Sequence, residues 1–140
     1  MAASNDNTIT LISDGAAVIP QYSMVSTDAA GDIGLPPNVA TRTVGIVQEG
    51  IALAAAAGQP TAVQVLGVSL AIVGTGGFGA GGATIPLMVD PVIRGTLIAH
   101  NGAAGSLHCA NWIPTRTQAV AGAAVGSLIR VLIVPCPVAT

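Results

Sequence analysis

From Ile51 to Val89 the chain carries no charged side chain, yet nothing in that stretch reads as a long helix. Gly58, Gln59, Pro60, Gln64 and Ser69 interrupt it, and glycines recur from Gly74 onward. A membrane-spanning helix needs about 20 consecutive apolar residues, and no such run survives these interruptions. A second apolar stretch, Ala119 to Val138, contains the small-xxx-small pair Gly122 and Gly126. Arg130 falls in its middle, where a lipid-embedded cation costs roughly 2.5–3.5 kcal/mol. No membrane role is therefore expected. Short apolar runs punctuated by Gly and Pro leave the β-strand as the main building element.

The strands are read from alternation and β-branching. Thr8-Ile9-Thr10-Leu11-Ile12 opens the chain's structure, and Ser13-Asp14-Gly15 ends it with turn residues. Val18 to Val25 is a second candidate, Thr27 to Asp32 a turn, Leu35-Pro36-Pro37-Asn38 a stiff connector, and Thr41 to Val47 a third strand. Ala52 to Ala57 favours helix but is too short for more than one turn. Thr61 to Leu66 alternates, Gly67 marks a bend or bulge, and Val68 to Val73 continues extended. A glycine loop, Gly74 to Gly82, leads to Ile85–Val89, whose Pro86 predicts an edge strand. Gly95 to His100, ended by Asn101-Gly102, then Leu107 to Ile113 and Leu128 to Val134 complete the series, and Pro135-Cys136-Pro137 stops it. Ala54–Gly58 followed by Ala62–Leu66 is echoed by Ala121–Gly126 followed by Leu128–Leu132. In each an Ala/Gly corner leads into a strand. The pattern predicts an all-β fold: one small β-barrel or β-sandwich over residues 8–140, preceded by a flexible arm, residues 1–7.

Such a fold would have an unusual surface. The chain is 51% hydrophobic and 7% charged, where a typical soluble domain is about 25% charged. The four basic residues are all arginine, namely Arg42, Arg94, Arg116 and Arg130, and the net charge is −2. Phosphate binding draws on clustered Lys and Arg, so nucleic acid is not an expected partner. The sparse charge predicts instead that much of the surface is covered by protein, through self-association. The start, MAASNDNTIT, lacks the basic and apolar regions of a secretory signal. Cys109 and Cys136 are too few for a disulfide framework and read as reduced thiols. The only aromatics are Trp112, Tyr22 and Phe78, so the core is aliphatic.

Catalytic and ligand chemistry is weak throughout. Gly74-Thr75-Gly76-Gly77-Phe78-Gly79 matches G-x-G-x-x-G, but Ala80–Pro86 cannot be the helix that this motif needs. His108 and Cys109 are neighbours, which in a strand point to opposite faces. With His100 and Cys136 they do not make a paired-spacing metal site. Ser106, His100 or His108, and Asp90 compose a serine triad only on paper, since no G-x-S-x-G elbow is present. Glu49, beside Gly50, reads as a solvated turn residue. No enzyme, cofactor, metal or small-molecule substrate is expected. Arg130, inside the strongest strand, reads as an outward-facing residue or as an inter-subunit ion-pair partner for Asp90 or Asp32. Trp112 reads as a core plug with a satisfied indole N–H, or as an anchor in a partner interface.

Several segments resemble the capsid cement, or head decoration, proteins of tailed bacteriophages. They are Gln21–Val25 with Asp28–Gly31, Val44–Gln48, Val63–Val68, and Ala121–Gly126 leading to Ile129–Ile133. The resemblance implies a β-tulip-like fold and a non-enzymatic virion protein, made in the host cytoplasm. Such a protein binds the outer surface of the major capsid protein lattice and stabilises the head. It also implies a homo-oligomer, most often a trimer, with an N-terminal arm touching the shell. On that reading Thr8, Ile9, Thr10, Leu11 and Ile12 order on a partner by strand addition, with Trp112 and Arg130 as further contacts. Removing Met1 to Ile12 would then leave a folded core. The alternative is a small β-barrel ligand-binding or carrier module, marked by a protected apolar pocket.

Overall fold

A computed structural model describes residues 7–51, 58–80 and 85–134. The chain is nearly all β, with 42% strand and 5% helix in two antiparallel sheets, one of which curls into a half-barrel. The first half supplies β1 (Thr8–Ile12), β2 (Met24–Thr27), β3 (Ile33–Gly34), β4 (Thr43–Val47) and β5 (Pro60–Gln64), arranged β1-β5-β4-β2-β3. The second half supplies β6 (Gly67–Ile72), β7 (Ile85–Val89), β8 (Leu97–Ala99), β9 (Ala110–Trp112), α1 (Arg116–Ala121) and β10 (Leu128–Ile133). Its strands are arranged β6-β10-β9-β7-β8.

The second order is the first with every strand moved on by five. Lesser features repeat with it. A parallel bridge joins the outer strands at Ser13–Ile33 in one half and Val73–Leu97 in the other. An antiparallel bridge spans the loops at Ile19–Ile51 and again at Phe78–Ala123. Gly58 donates its N–H to Ser13, and Gly126 donates to Val73, both at 2.9 Å. These two glycines have φ of 84° and 82°, a left-handed conformation that other residues adopt only with strain. The echo between the two Ala/Gly corners is thus one visible trace of a tandem repeat. Residues 52–57 of the first corner, including the helix-favouring Ala52 to Ala57, lie outside the described residues.

The halves join through a very short link. β5 ends at Gln64 and β6 begins at Gly67 (φ 83°), so the expected bend at Gly67 is a crossing from one sheet to the other. The Gln64 side chain donates to the Leu66 and Val68 carbonyls and ties this corner. Arg94 reaches back to the Leu35 and Pro36 carbonyls at 2.7 and 3.1 Å. Met24 donates to Gly95, and Leu107 to Val39.

Two apolar clusters follow the two halves. Ile19, Val25, Ile33, Val47, Ile51 and Val63 fill the first. The second is built on Leu87, Leu97, Trp112, Ile129 and Val131, and it also takes Met24 and Ile46 from the first half. Each such aliphatic side chain contributes about 1.5–3 kcal/mol when fully buried.

Four local expectations are corrected. Val18 to Val25 is not one strand: Pro20 and Tyr22, the latter at φ 67°, separate the isolated Ile19–Ile51 bridge from the strand that begins at Met24. Ile85–Val89 is not an edge strand but lies between β8 and β9. Pro86 is tolerated there because its nitrogen faces the end of β8, where its carbonyl accepts from His100 at 2.9 Å. Leu107 to Ile113 pairs only at Ala110–Trp112. Finally, α1 was not expected. Thr115 caps it with a reciprocal capping box to Gln118, a Thr-x-x-Gln pattern that was legible in the sequence.

Candidate interaction surface

Cα partners in an antiparallel ladder share a face of the sheet. In the β6–β10 ladder the register pairs Val68 with Leu132, Leu70 with Arg130, and Ile72 with Leu128. The intervening Ser69, Ala71, Ile129, Val131 and Ile133 are buried. The first set therefore forms the outer face. Val68, Leu70, Leu128 and Leu132 are 50%, 38%, 44% and 41% exposed. Arg130 stands among them, exposed, and its side chain makes no hydrogen bond or ion pair with any described residue. β6 is patterned inside-out: its small residues, Ser69 and Ala71, point inward and its large ones outward. Alternation alone does not report which face is which, so this surface escaped the sequence reading apart from Arg130.

The repeat supplies a comparison within the same molecule. In the β1–β5 ladder the equivalent outward pairs are Thr8–Gln64, Thr10–Ala62 and Ile12–Pro60. The position of Leu70 is held there by Thr10, that of Leu132 by Gln64, and that of Arg130 by Ala62. The same topology thus accepts a mixed face, half of it polar, in one half. The greasy face of the other half is not a requirement of the fold.

The remaining expected contact residues are placed differently. Thr8–Ile12 is β1, paired along its length with β5, and Leu11 packs on the first cluster. It belongs to the sheet of its own chain, so removing Met1 to Ile12 takes a paired strand from that sheet. Its second edge meets β3 only at the Ser13–Ile33 bridge. Residues 1–6 of the expected arm lie outside the described residues. Trp112 is 2% exposed and packs on Phe78 with ring centroids 5.0 Å apart. A ring buried in its own chain offers nothing to a partner, so the anchor reading gives way to the core plug. Its indole N–H has no acceptor among the described residues, contrary to expectation.

Asp90 cannot serve Arg130 either. It is 2% exposed, and its Oδ2 accepts from the Thr75 N–H and hydroxyl, both at 2.7 Å, while Oδ1 accepts from the Val92 N–H at 2.8 Å. Burial pushes its pKa up. The bonds from the Thr75 hydroxyl and N–H and from the Val92 and Ile93 backbone outweigh that and hold it below the ordinary carboxylate range. Gly74 makes room for this cluster, since a Cβ there would stand 2.6 Å from Asp90 Oδ2. The donors at the start of the glycine loop are thus already given to a carboxylate, not offered to a phosphate.

His100 accepts from the Gly102 N–H at Nδ1, so its Nε2 is the donor to the Ser106 carbonyl at 3.0 Å. That tautomer presents no base to the Ser106 hydroxyl, and Asp90 lies at the opposite end of the β7–β8 hairpin from His100. The paper triad is not assembled. His108 is half-buried and Cys109 buried, and no group of three His, Cys, Asp or Glu side chains converges among the described residues. A depression of about 590 Å³ is lined by Thr27 and residues 40–44. It is not the protected apolar pocket that a carrier would need. No protein-family model matches the chain, and no curated protein matches it in sequence.

Proposed function

We propose that this chain is a structural virion protein, a capsid cement protein that binds the outer surface of the major capsid protein lattice and stabilises the head. It works as a homo-oligomer, a trimer, and carries out no catalysis. The observation that carries the reading is the outward face of β6 and β10, where Val68, Leu70, Leu128 and Leu132 form an exposed apolar patch suited to a protein partner. Its support is the set of resembling segments, the small all-β fold in which they lie, and a sequence with ten charged residues in 140. The edge of β1, which among the described residues meets β3 only at Ser13–Ile33, offers a second contact, by strand addition to the shell.

The test is mass spectrometry of purified virions of the phage that encodes the chain, with heat resistance of heads made with and without it. The chain is expected in virions at a copy number matching a lattice site, and heads lacking it are expected to lose DNA at lower temperature. Its absence from virions would overturn the proposal.

A further inference from the structure

We infer that the β6–β10 face of one copy docks head to tail on the first half of a second copy, with Arg130 set against the neighbour's Glu49. The inference rests on the self-association in the reading above and names the surfaces that perform it.

The first argument is the internal comparison. Two ladders of identical register differ at their outward positions, where polar residues give way to apolar ones at three of six sites and Ala62 gives way to Arg130. Thr10 and Gln64 in one half are matched by Leu70 and Leu132 in the other. Exposed leucine costs solubility and adds nothing to a core that lies on the opposite side of the sheet. Such a face is stable when water is removed from it by a partner.

The second argument is charge, which selects the partner. Residues 1–65 hold Asp6, Asp14, Asp28, Asp32 and Glu49 against Arg42, a balance of −4. Residues 66–140 hold Arg94, Arg116 and Arg130 against Asp90, a balance of +2, and the two sum to the chain's −2. Because Asp90 is buried, every exposed or half-exposed described carboxylate side chain lies in the first half. A face-to-face dimer through β6–β10 would bring two Arg130 side chains toward one desolvated patch, where like charges are costly. A head-to-tail contact brings Arg130 to a carboxylate, and such heterologous contacts close into rings when the rotation permits.

The third argument selects Glu49. Asp28 already accepts from the N–H groups of Ala30 and Asp32, and Asp14 from that of Ala16, while Asp32, whose carboxylate makes no hydrogen bond with a described residue, is only half-exposed. The Glu49 carboxylate is exposed and makes no hydrogen bond or ion pair with a described residue. Beside it runs a shallow groove of about 240 Å³ formed by Val18, Ile19, Pro20, Gln21, Gly50 and Ile51. A carboxylate edged by apolar surface complements an arginine edged by leucines.

The experiment measures the mass of the full chain by sedimentation equilibrium, with circular dichroism and Trp112 fluorescence as folding controls. The wild type is expected to self-associate. The double variant Leu70→Thr/Leu132→Gln, which copies the outer residues of the first half, is expected to be folded and monomeric. Arg130→Glu and Glu49→Arg singly are expected to weaken association by about tenfold or more, and the double exchange Arg130→Glu/Glu49→Arg to recover most of the loss. A monomeric wild type, or association untouched by Leu70→Thr/Leu132→Gln, would overturn the inference. Loss in both single variants without recovery in the exchange would overturn the pairing with Glu49. Association intact in a chain absent from virions would sink the virion reading and leave this one standing.

Discussion

Asp90 shows how a single residue of this chain exchanges a possible surface role for a structural one. Its side chain binds the start of the Gly74–Gly79 loop and the turn after β7 in one cluster of three donors. Replacing it with Ala strips the partner from the Thr75 and Val92 donors, which sit on exposed residues and can turn to water, and is expected to cost about 1–2 kcal/mol. Asp90→Asn retains an acceptor for Thr75 while placing an amide N–H₂ against the Val92 N–H, so a smaller loss is expected. The two variants separate the charge from the shape. The folded pKa of Asp90 is lowered, so its contribution is fully present above the unfolded value of about 3.9 and is lost as pH falls through the folded value. Urea titrations from neutral pH down to that region are expected to show a steeper acid loss in the wild type than in Asp90→Asn. Parallel slopes would show that the carboxylate's charge carries no stability. None of this was legible beforehand, because the Thr75 partner lies 15 residues away and local sequence does not bring it to Asp90.

Among the elements, those with clear alternation were readable and those set by distant neighbours were not. β10 was expected over Leu128–Val134 and is found over Leu128–Ile133, since its alternate residues face a core and tolerate no slip of register. β7 was located correctly but placed wrongly in the sheet. Its neighbours are chosen by the topology of the repeat, which local sequence does not express. β1 carries the most instructive difference. As a free segment, Thr8–Ile12 resembles an arm awaiting a partner strand. In the fold it already has that partner in β5, and the Asn7 carbonyl accepts from Val65 as the ladder continues. Removing Met1 to Ile12 exposes the edge of β5 and takes Leu11 from the first cluster. The truncated chain is expected to lose its β circular dichroism signal and to show Trp112 emission shifted to the red. A truncated protein melting within a few degrees of the wild type would show that β1 is dispensable.

At the scale of the whole molecule, the repeat raises the question of whether the chain is two small units or one. Sequence similarity between the halves is faint enough that only the corners before β5 and β10 stood out. Topology is far better preserved than side chains, since register and turn conformation constrain the backbone while outward positions are free to diverge. The interior argues for one unit. Met24 and Ile46 project from the first sheet into the cluster of the second, and the Gln48 side chain bonds the Ser69 hydroxyl at 3.0 Å. Arg94 ties its loop to the connector before β4. Neither half could unfold alone without uncovering Met24 and Ile46, which are both 0% exposed. At about 1.5–3 kcal/mol for each such side chain, that exposure is comparable to the stability an isolated small β-unit has to lose. The chain is therefore expected to melt in a single cooperative transition, with calorimetric and van't Hoff enthalpies equal, measured on the monomeric Leu70→Thr/Leu132→Gln variant so that dissociation does not distort the curve. An Arg94→Ala change is expected to lower that one transition without dividing it. Two resolved transitions in the parent variant would mean that the halves are independent and that the shared cluster does not couple them.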